Sequence, residues 1–419
     1  MTMRSESGST RKEWAKYVGK IIIIMAAVIL LFFCLQVIVF CIPEKYLMSN
    51  LADSYEVLDY EGMQWEYIFS YARGAQLDNK TDGVMLDRVV SEPDTKQYSV
   101  FYRAMDCNGY PRYWHGYLVF LKPLLLLLSY RQIRYLYMFL HIFFFVMIVL
   151  QLYQRFNKKI VFGWTLSFVM AYFTILPFSL QFSSVFFVMY VAMFVLDKKY
   201  EGYNLQKTGI FFLIVGMTTS FFDFLTAPLI TLGMPLIYLM LRQQRDYKAA
   251  SCRKNLYSLL IASVLWSVGY FVNWFCKWPL ASLIMKQNVI MNGLSQSVNR
   301  MEITEGNPIL SRIGAIGLNL FAMFPPGITS EDIMWFLPVA AIGFVVIVGL
   351  FCKYHADGKV LKEQIPFVLI MTYPYIWYVV VANHSLVHYI FTYRIQMITV
   401  WAVWIVLSHS IIIKRTAHS

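Results

Sequence analysis

Long apolar runs alternate with short polar segments along the chain, and this pattern predicts an all-α protein. The first run, Ile21–Cys41, carries no charge, and its length of about 20 residues is enough for a helix to cross a bilayer core. We therefore predict a polytopic transmembrane helical bundle of about 10–11 spans. The spans are placed at about 21–42, 133–154, 160–176, 178–196, 208–222, 225–242, 256–276, 333–352, 365–381 and 395–413.

Two further apolar segments are predicted not to cross the membrane. Tyr113–Leu128 carries Lys122–Pro123 at its centre. We expect a re-entrant or interfacial helix there, because interrupted helices are tolerated where protein covers them. Leu310–Phe324 is short and contains Arg312. If it crossed, the basic segment 353–364 would lie outside, against the tendency of Lys and Arg to stay in the cytoplasm.

The basic residues predict the orientation of the bundle. They cluster beside the predicted spans, at 11–20, 155–159, 198–199, 242–254, 353–362 and 414–415. Short cytoplasmic loops retain Lys and Arg, so both termini are predicted to be cytoplasmic. Residues 1–20 then form a cytoplasmic tail, and 21–419 form one transmembrane domain. Its external parts are a large first loop, 43–132, a segment at 277–332 and a short link around 382–394.

Composition supports a membrane protein and argues against a nucleic-acid partner. Hydrophobic residues make up 58% of the chain and charged residues 14%, whereas soluble domains average roughly 25% charged. The net charge of +12 is spread over clusters beside the spans, and nucleic-acid binding would need one contiguous basic face. The six cysteines show no paired spacing, so no disulfide or zinc framework is predicted.

Three ionisable residues at membrane depth need an explanation, because such groups are costly there. Asp223 falls between two spans, where it could cap the following helix or belong to a site. His141, inside the second span, could hydrogen-bond a neighbouring helix or take part in catalysis. Lys277 lies where a span reaches the outer interface. It could extend its amine towards water or hold a lipid phosphate.

The densest polar cluster is the segment Asn383–Arg394 (NHSLVHYIFTYR). In a helix, His384 and His388 share one face. Such a pair could bind a metal, but Ser385 stands where a zinc-protease helix needs its glutamate. We expect no metal or cofactor here, with a divalent cation kept as an alternative. Asn383, the two histidines and Arg394 instead form a candidate cradle for a phosphate, the alternative being a histidine-capped interfacial turn.

The first loop supplies acidic side chains, in contrast to the basic side chains of the segment Asn383–Arg394. Asp53 and Glu56 follow the first span closely, and a carboxylate near the membrane can act as general base on an acceptor hydroxyl. Further candidates precede or begin the re-entrant segment: Asp106, Arg112, Tyr113, Trp114 and His115. The flat rings of Tyr113 and Trp114 are suited to contacts with sugar rings. The alternative is a solvated acidic loop.

This arrangement resembles the glycosyltransferase C superfamily, whose members have a large external first loop with a catalytic acidic residue. Asp53 or Glu56 matches the position of that residue, and Tyr110–Pro111 looks like the start of the loop's return segment. Two departures are the lack of an adjacent acidic pair and of a large soluble C-terminal domain. NHSLVHYIFTYR and FFDFLTAPLITLGMPL also resemble uncharacterised bacterial membrane proteins, which implies a bacterial plasma (inner) membrane.

The resemblance implies a membrane glycosyltransferase that moves a sugar from a polyprenyl-phosphate-linked donor to an external glycan or lipid acceptor. Asp53 or Glu56 would deprotonate the acceptor. Cations and histidines would stabilise the departing lipid phosphate: His384, His388, Arg394 and Lys277. Two alternatives stay open, a transporter or flippase for a glycolipid or polysaccharide, and a non-catalytic envelope assembly protein. Matched Gly/Pro-broken helices, the usual sign of a carrier, are not apparent.

Overall fold

The computed structural model describes residues 3–66, 73–91, 93–247, 252–303, 306–324 and 330–411. It is 81% helical, which confirms the all-α prediction. The strands of the described part are β1 (Gln64–Glu66) and β2 (Gln76–Asp78), which pair antiparallel.

The chain folds into helices of very unequal length. The first five helices are α1 Met3–Phe40, α2 Met48–Glu61, α3 Asn79–Asp87, α4 Val100–Asp106 and α5 Leu118–Leu125. The bundle that follows comprises α6 Tyr130–Arg155, α7 Lys158–Met170, α8 Leu180–Lys199, α9 Leu205–Phe222, α10 Ile230–Asp246, α11 Cys252–Met285, α12 Val289–Met301, α13 Pro308–Phe321, α14 Ser330–Tyr354, α15 Gly358–Glu363, α16 Ile365–Ile370, α17 Tyr373–Val380, α18 Ala382–Val387, α19 Tyr389–Thr392 and α20 Met397–Ser410.

Within the described ranges, six helical segments are long and apolar enough to cross a membrane. They are Lys12–Phe40, Tyr130–Arg155, Leu180–Lys199, Leu205–Phe222, Cys252–Met285 and Tyr389–Ser410. Each overlaps a predicted span, so the chain is a helical membrane protein. The predicted spans 160–176, 225–242 and 365–381 coincide with shorter or interrupted helices, and 333–352 lies within α14. All four stay predictions.

Proline and a tight turn explain why two predicted spans are not single helices. The predicted span 365–381 is split into α16 and α17, each with a proline in its first turn. Proline lacks the N–H of a helix interior and fits the first turn. The predicted span 225–242 begins only at Ile230, because Leu225 has a φ of 63°, which a helix does not accommodate.

The helices α9 and α11 pack closely against each other. Their backbones touch at two glycines: a Cβ on Gly216 would lie 2.1 Å from the Trp266 carbonyl oxygen, and one on Gly269 would lie 2.2 Å from the Leu213 oxygen. Small residues allow membrane helices to approach this closely. A side chain at either position would therefore force the two helices apart.

A buried polar network fixes the first loop to the bundle. Arg134 on α6 donates to Glu61 at the end of α2 through two nitrogens, at 2.9 Å for Nη2. Asp82 on α3 accepts the Tyr130 hydroxyl and the backbone N–H of Leu180 at 2.8 Å. A carboxylate at the start of α8 also complements the helix dipole. The loop is thus held rigidly against the bundle.

The predicted re-entrant segment forms the short helix α5, which packs on the protein. Lys122, in its middle, is buried and donates to the Val89 carbonyl oxygen at 2.9 Å. Its ammonium group also lies 4.2 Å from the centre of the Phe40 ring. The charge is therefore satisfied inside the protein. Whether this helix enters the membrane stays a prediction.

Candidate functional site

A polar cavity of about 330 Å³ lies where the first loop, which includes α3, meets α8, α12 and α18. Segments far apart in the sequence form its walls. The lining residues are Thr81, Val84, Arg88, Tyr110, Tyr113, Gln181, Phe224, Arg300, His384, His388 and Phe391. Of the residues singled out from the sequence, the structure brings together the two histidines and Tyr113 here. We call this space the polar cavity.

The two histidines lie side by side in one wall, with ring centroids 4.7 Å apart. Nε2 of His384 is 2.8 Å from the Leu225 carbonyl oxygen. Because a carbonyl only accepts, this nitrogen carries the proton, and Nδ1 of the same ring is an acceptor. His388 stacks on Phe391, with ring centroids 5.0 Å apart.

Burial keeps both imidazoles neutral near neutral pH. It lowers the pKa of His384 to about 3, because a charged ring would lose its hydration. Burial also lowers the pKa of His388, an effect opposed by the Asp78 carboxylate and reinforced by Arg300 and Lys80. A neutral imidazole can accept a proton, so His388 has the protonation state of a general base.

Two arginines supply positive charge to the cavity. The guanidinium of Arg88 lies 5.3 Å from the centre of the Tyr110 ring, and that of Arg300 lies 5.7 Å from the centre of the Tyr113 ring. Neither is in an ion pair with a described residue. The Nε atoms of both are buried and have no hydrogen-bond partner in the described part of the chain. The Nη1 atom of each guanidinium donates to a backbone oxygen, that of Asn108 for Arg88 and that of Gln296 for Arg300. The remaining N–H groups of the two cations are suited to an anion.

Gln181 adds an unused acceptor to the cavity. Its side chain is 1% exposed, and its Oε1 has no partner among the described residues, while Nε2 reaches the Asp78 carbonyl oxygen at 3.5 Å. A buried acceptor without a donor is unfavourable. A ligand hydroxyl could fill this role.

Asp223 caps the turn beside the cavity. Its Oδ1 accepts from the Thr226 N–H at 2.9 Å and the Thr226 hydroxyl at 2.8 Å. Burial raises the pKa of this carboxyl to about 6. The turn that it stabilises carries Phe224, which lines the cavity, and Leu225, which fixes His384. Both interpretations drawn from the sequence, a cap and a part of the site, are compatible with this position.

Asp53 and Glu56 lie on the exposed face of α2. Neither lines the polar cavity. The structure therefore leaves their catalytic role as a prediction.

Arg394 and Lys277 are buried and bind backbone carbonyls. Arg394 donates to the Gly74 oxygen at 3.2 Å and lies 3.8 Å from the centre of the Phe182 ring. Lys277 donates to the Met105 oxygen at 3.0 Å and is fully buried. Neither side chain lines the polar cavity, and a phosphate-binding role for them stays a prediction.

The remaining candidates form the scaffold around the cavity. Trp114 Nε1 donates to the Asn273 oxygen at 2.7 Å, and Asn383 donates to the Asn299 oxygen at 2.7 Å, next to Arg300. Three others hold the segment around Tyr110 and Tyr113. Asp106 accepts from the Gly109 N–H at 2.9 Å, and the Arg112 guanidinium lies 4.4 Å from the centre of the Tyr110 ring. Nε2 of His115 is 2.8 Å from the backbone carbonyl oxygen of Tyr110.

Arg88, Arg300, Thr81 and Gln181 were not predicted from the sequence. The two arginines carry a signal that could have revealed them, because they lie in segments predicted to be external, where Lys and Arg are less frequent. Thr81 and Gln181 carry no such signal. In the described part of the chain, no group of three or more His, Cys, Asp or Glu side chains could hold a metal ion.

No protein-family model, curated protein or solved structure matches this chain. The site's chemistry therefore carries the functional argument.

Proposed function

We propose that this chain is a membrane glycosyltransferase that takes a sugar from a polyprenyl-phosphate-linked donor. The observation that carries the proposal is the position of the polar cavity beside a long apolar groove. A lipid-linked phosphate needs both environments at once, a cationic site for the phosphate and an apolar surface for the chain.

The apolar groove, of about 390 Å³, is formed mainly by α8 and α9. On α8 it extends from Ser184 to Val195, a length of about 16 Å at 1.5 Å per residue. Tyr117 lines its end nearest the polar cavity, and the Tyr117 ring packs edge-on against Phe224 at 6.4 Å between centroids. Phe224 lines the polar cavity. A lipid in the groove would thus place its head group beside the arginines.

The cavity residues match the parts of such a donor. Arg88 and Arg300 would bind phosphate oxygens, for which the guanidinium fork is well suited. Tyr110 and Tyr113 would offer ring faces to the sugar, and Gln181 would accept from one of its hydroxyls.

The reaction would be an inverting displacement. The acceptor hydroxyl oxygen attacks the anomeric carbon, the bond from that carbon to the phosphate oxygen breaks, and the lipid phosphate leaves with the electron pair. The arginines stabilise the charge that develops on it. The acceptor proton passes to a base. We assign this role to His388, which lines the cavity as a neutral imidazole, in place of the exposed Asp53 and Glu56.

We also propose that the polar cavity opens on the external side of a bacterial plasma membrane, with both termini in the cytoplasm and about 10–11 spans. Gln181 is in the first turn of α8, and Asp197, near its other end, pairs with Arg155 and Arg242. A helix of 20 residues is about 30 Å long, close to the thickness of a bilayer core. The basic clusters and the cavity therefore lie at opposite ends of this helix, which supports the orientation.

The test is to identify lipids that co-purify with the protein. Mass spectrometry should find a polyprenyl phosphate, or its sugar-linked form, on the unmodified chain and on the control variant Arg253→Ala, whose arginine is exposed. The double variant Arg88→Ala/Arg300→Ala should lose it. Equal retention by the double variant, or no phosphate-bearing lipid at all, would contradict the proposal. Binding of the donor without sugar transfer would instead favour a carrier.

A further inference from the structure

We propose that a second cavity, centred on His141, binds an apolar molecule that carries a single hydroxyl group, such as a lipid alcohol. This cavity of about 300 Å³ lies between α6, α7, α8 and the turn Phe173–Phe178. Its size is within the range of small-molecule pockets, roughly 300–1,000 Å³. It is separate from the polar cavity and does not depend on the proposed transferase activity.

The hydrogen bonds of His141 leave one of its ring nitrogens unused. Nε2 is 3.0 Å from the Ser183 hydroxyl oxygen. That hydroxyl has one hydrogen, which is directed to the carbonyl oxygens of Leu176 at 2.8 Å and Ser179 at 3.1 Å. We therefore assign the ring proton to Nε2, which then donates to Ser183. The neutral ring then carries a bare lone pair on Nδ1.

Nδ1 is buried and has no hydrogen-bond partner among the described residues, and the side chain as a whole is 5% exposed. An acceptor left in this way costs free energy, which a donor from a ligand would recover. The alternative donor is a trapped water. A buried water needs 2–4 polar partners, which here would be His141 together with Thr174 and Tyr190, the other polar side chains of the lining. The position of the Nδ1 resonance before a ligand is added distinguishes this water from a ligand hydroxyl.

The rest of the lining selects the body of the ligand. It is composed of aromatic and aliphatic side chains: Met138, Ile142, Phe145, Phe168, Phe173, Leu176, Pro177 and Phe178. Ile142, on the apolar helix α6, is 55% exposed, and Phe173, in the turn Phe173–Phe178, is 37% exposed. A molecule could therefore enter sideways from the lipid phase. A mainly apolar lining with one unpaired buried ring nitrogen and, among the described residues, no charged side chain matches a prenyl or fatty alcohol better than a phospholipid, whose charged head group would have no partner.

The experiment compares farnesol with its hydrocarbon analogue farnesene on the purified full-length protein, by binding and by ¹⁵N NMR of labelled histidine. Farnesol should bind and shift the His141 Nδ1 resonance, whereas farnesene should bind about 2–10-fold more weakly, the equivalent of one neutral hydrogen bond. His141→Phe should weaken farnesol binding to the level of farnesene. His141→Gln, which retains an acceptor, and His355→Phe, at an exposed histidine, should keep most of it.

Equal binding of the two probes, or unchanged farnesol binding by His141→Phe, would overturn the proposal. An Nδ1 resonance that already reports a hydrogen bond before farnesol is added, and does not move afterwards, would assign the position to water and overturn it as well. Because neither probe contains phosphate or sugar, these outcomes are independent of the transferase proposal.

Discussion

Two regions of this protein carry candidate acid–base chemistry, and they differ in what surrounds them. The helix α2 presents Asp53 and Glu56 on a face exposed to solvent. The polar cavity places His384 and His388 among aromatic rings and two arginines without an acidic partner in the described residues. The first region follows the first predicted span closely in the sequence, whereas the second is assembled from segments that are far apart in the sequence.

The physical consequence is a difference in how strongly each region can act on a substrate. Charges in water are screened, and their interaction energy is several-fold smaller than that of charges near low-dielectric walls. The donors of the polar cavity are held in place by other contacts, so they need little reorganisation when charge develops. Nothing in the described contacts orients Asp53 or Glu56 in this way.

The largest expected effect separates the two regions directly. His388→Ala should lower the turnover of the co-purified donor by about 10²–10⁴-fold, the usual contribution of general acid–base catalysis. The double variant Asp53→Asn/Glu56→Gln should keep near-normal turnover. Steady-state kinetics of both variants, with the exposed His355→Ala as control, provides the measurement. The reverse result would return the base to α2.

The second prediction tests whether the first loop must stay docked. Arg134→Met removes one partner of the buried ion pair with Glu61, and breaking such a pair costs about 3–5 kcal/mol. Thermal unfolding in detergent should begin at a lower temperature, and proteases should cleave α2 more readily. Arg131→Met is a matched control, because Arg131 is exposed on the same helix. Equal stability of the two variants would show that the network does not hold the loop.

The third prediction concerns recognition within the cavity. Gln181→Leu removes the acceptor Oε1 and should weaken sugar binding about 2–10-fold, the equivalent of one neutral hydrogen bond of about 0.5–1.5 kcal/mol. Retention of the lipid phosphate itself should not change, since the arginines are intact. Binding of the donor and of the sugar-free lipid phosphate would be compared by native mass spectrometry. A matching loss for both ligands would place Gln181 outside the sugar subsite.

The all-α class and the membrane character could be predicted, because long uncharged runs leave few other structures for the chain. The pair His384 and His388 could be found because it is local, four residues apart on one helical turn. Arg88 and Arg300 could not be paired from the sequence. Both line the polar cavity because the tertiary fold brings the ends of α3 and α12 to it, and single residues in polar segments do not reveal that arrangement.

The sequence also could not show where a polar side chain would find its partner. Lys277 was predicted either to extend its amine towards water or to hold a lipid phosphate, and Arg394 to bind a phosphate. Both are buried against backbone oxygens, and a phosphate role stays a prediction for each. The choice depends on which carbonyls the tertiary fold leaves unpaired nearby. By contrast, a hydrogen bond from His141 to a neighbouring helix was one of two interpretations, and the contact with Ser183 agrees with it.

The smallest expected effect is a displacement of the pH profile, and it tests the environment of His388. Burial lowers the pKa of this histidine from 6.5, and its neutral form is the one that can accept a proton. Plotted against pH, kcat/KM should therefore be level above neutrality and fall only below about pH 6.5.

Two charges beside His388 should move this acidic limb in opposite directions. The Asp78 carboxylate raises the pKa of His388, and the Lys80 ammonium lowers it. Asp78→Asn, which retains an oxygen to cap α3, should shift the limb to lower pH, and Lys80→Gln should shift it to higher pH. A limb that neither variant moves would mean that another group titrates, and the exposed carboxylates of α2 would then be the next to test.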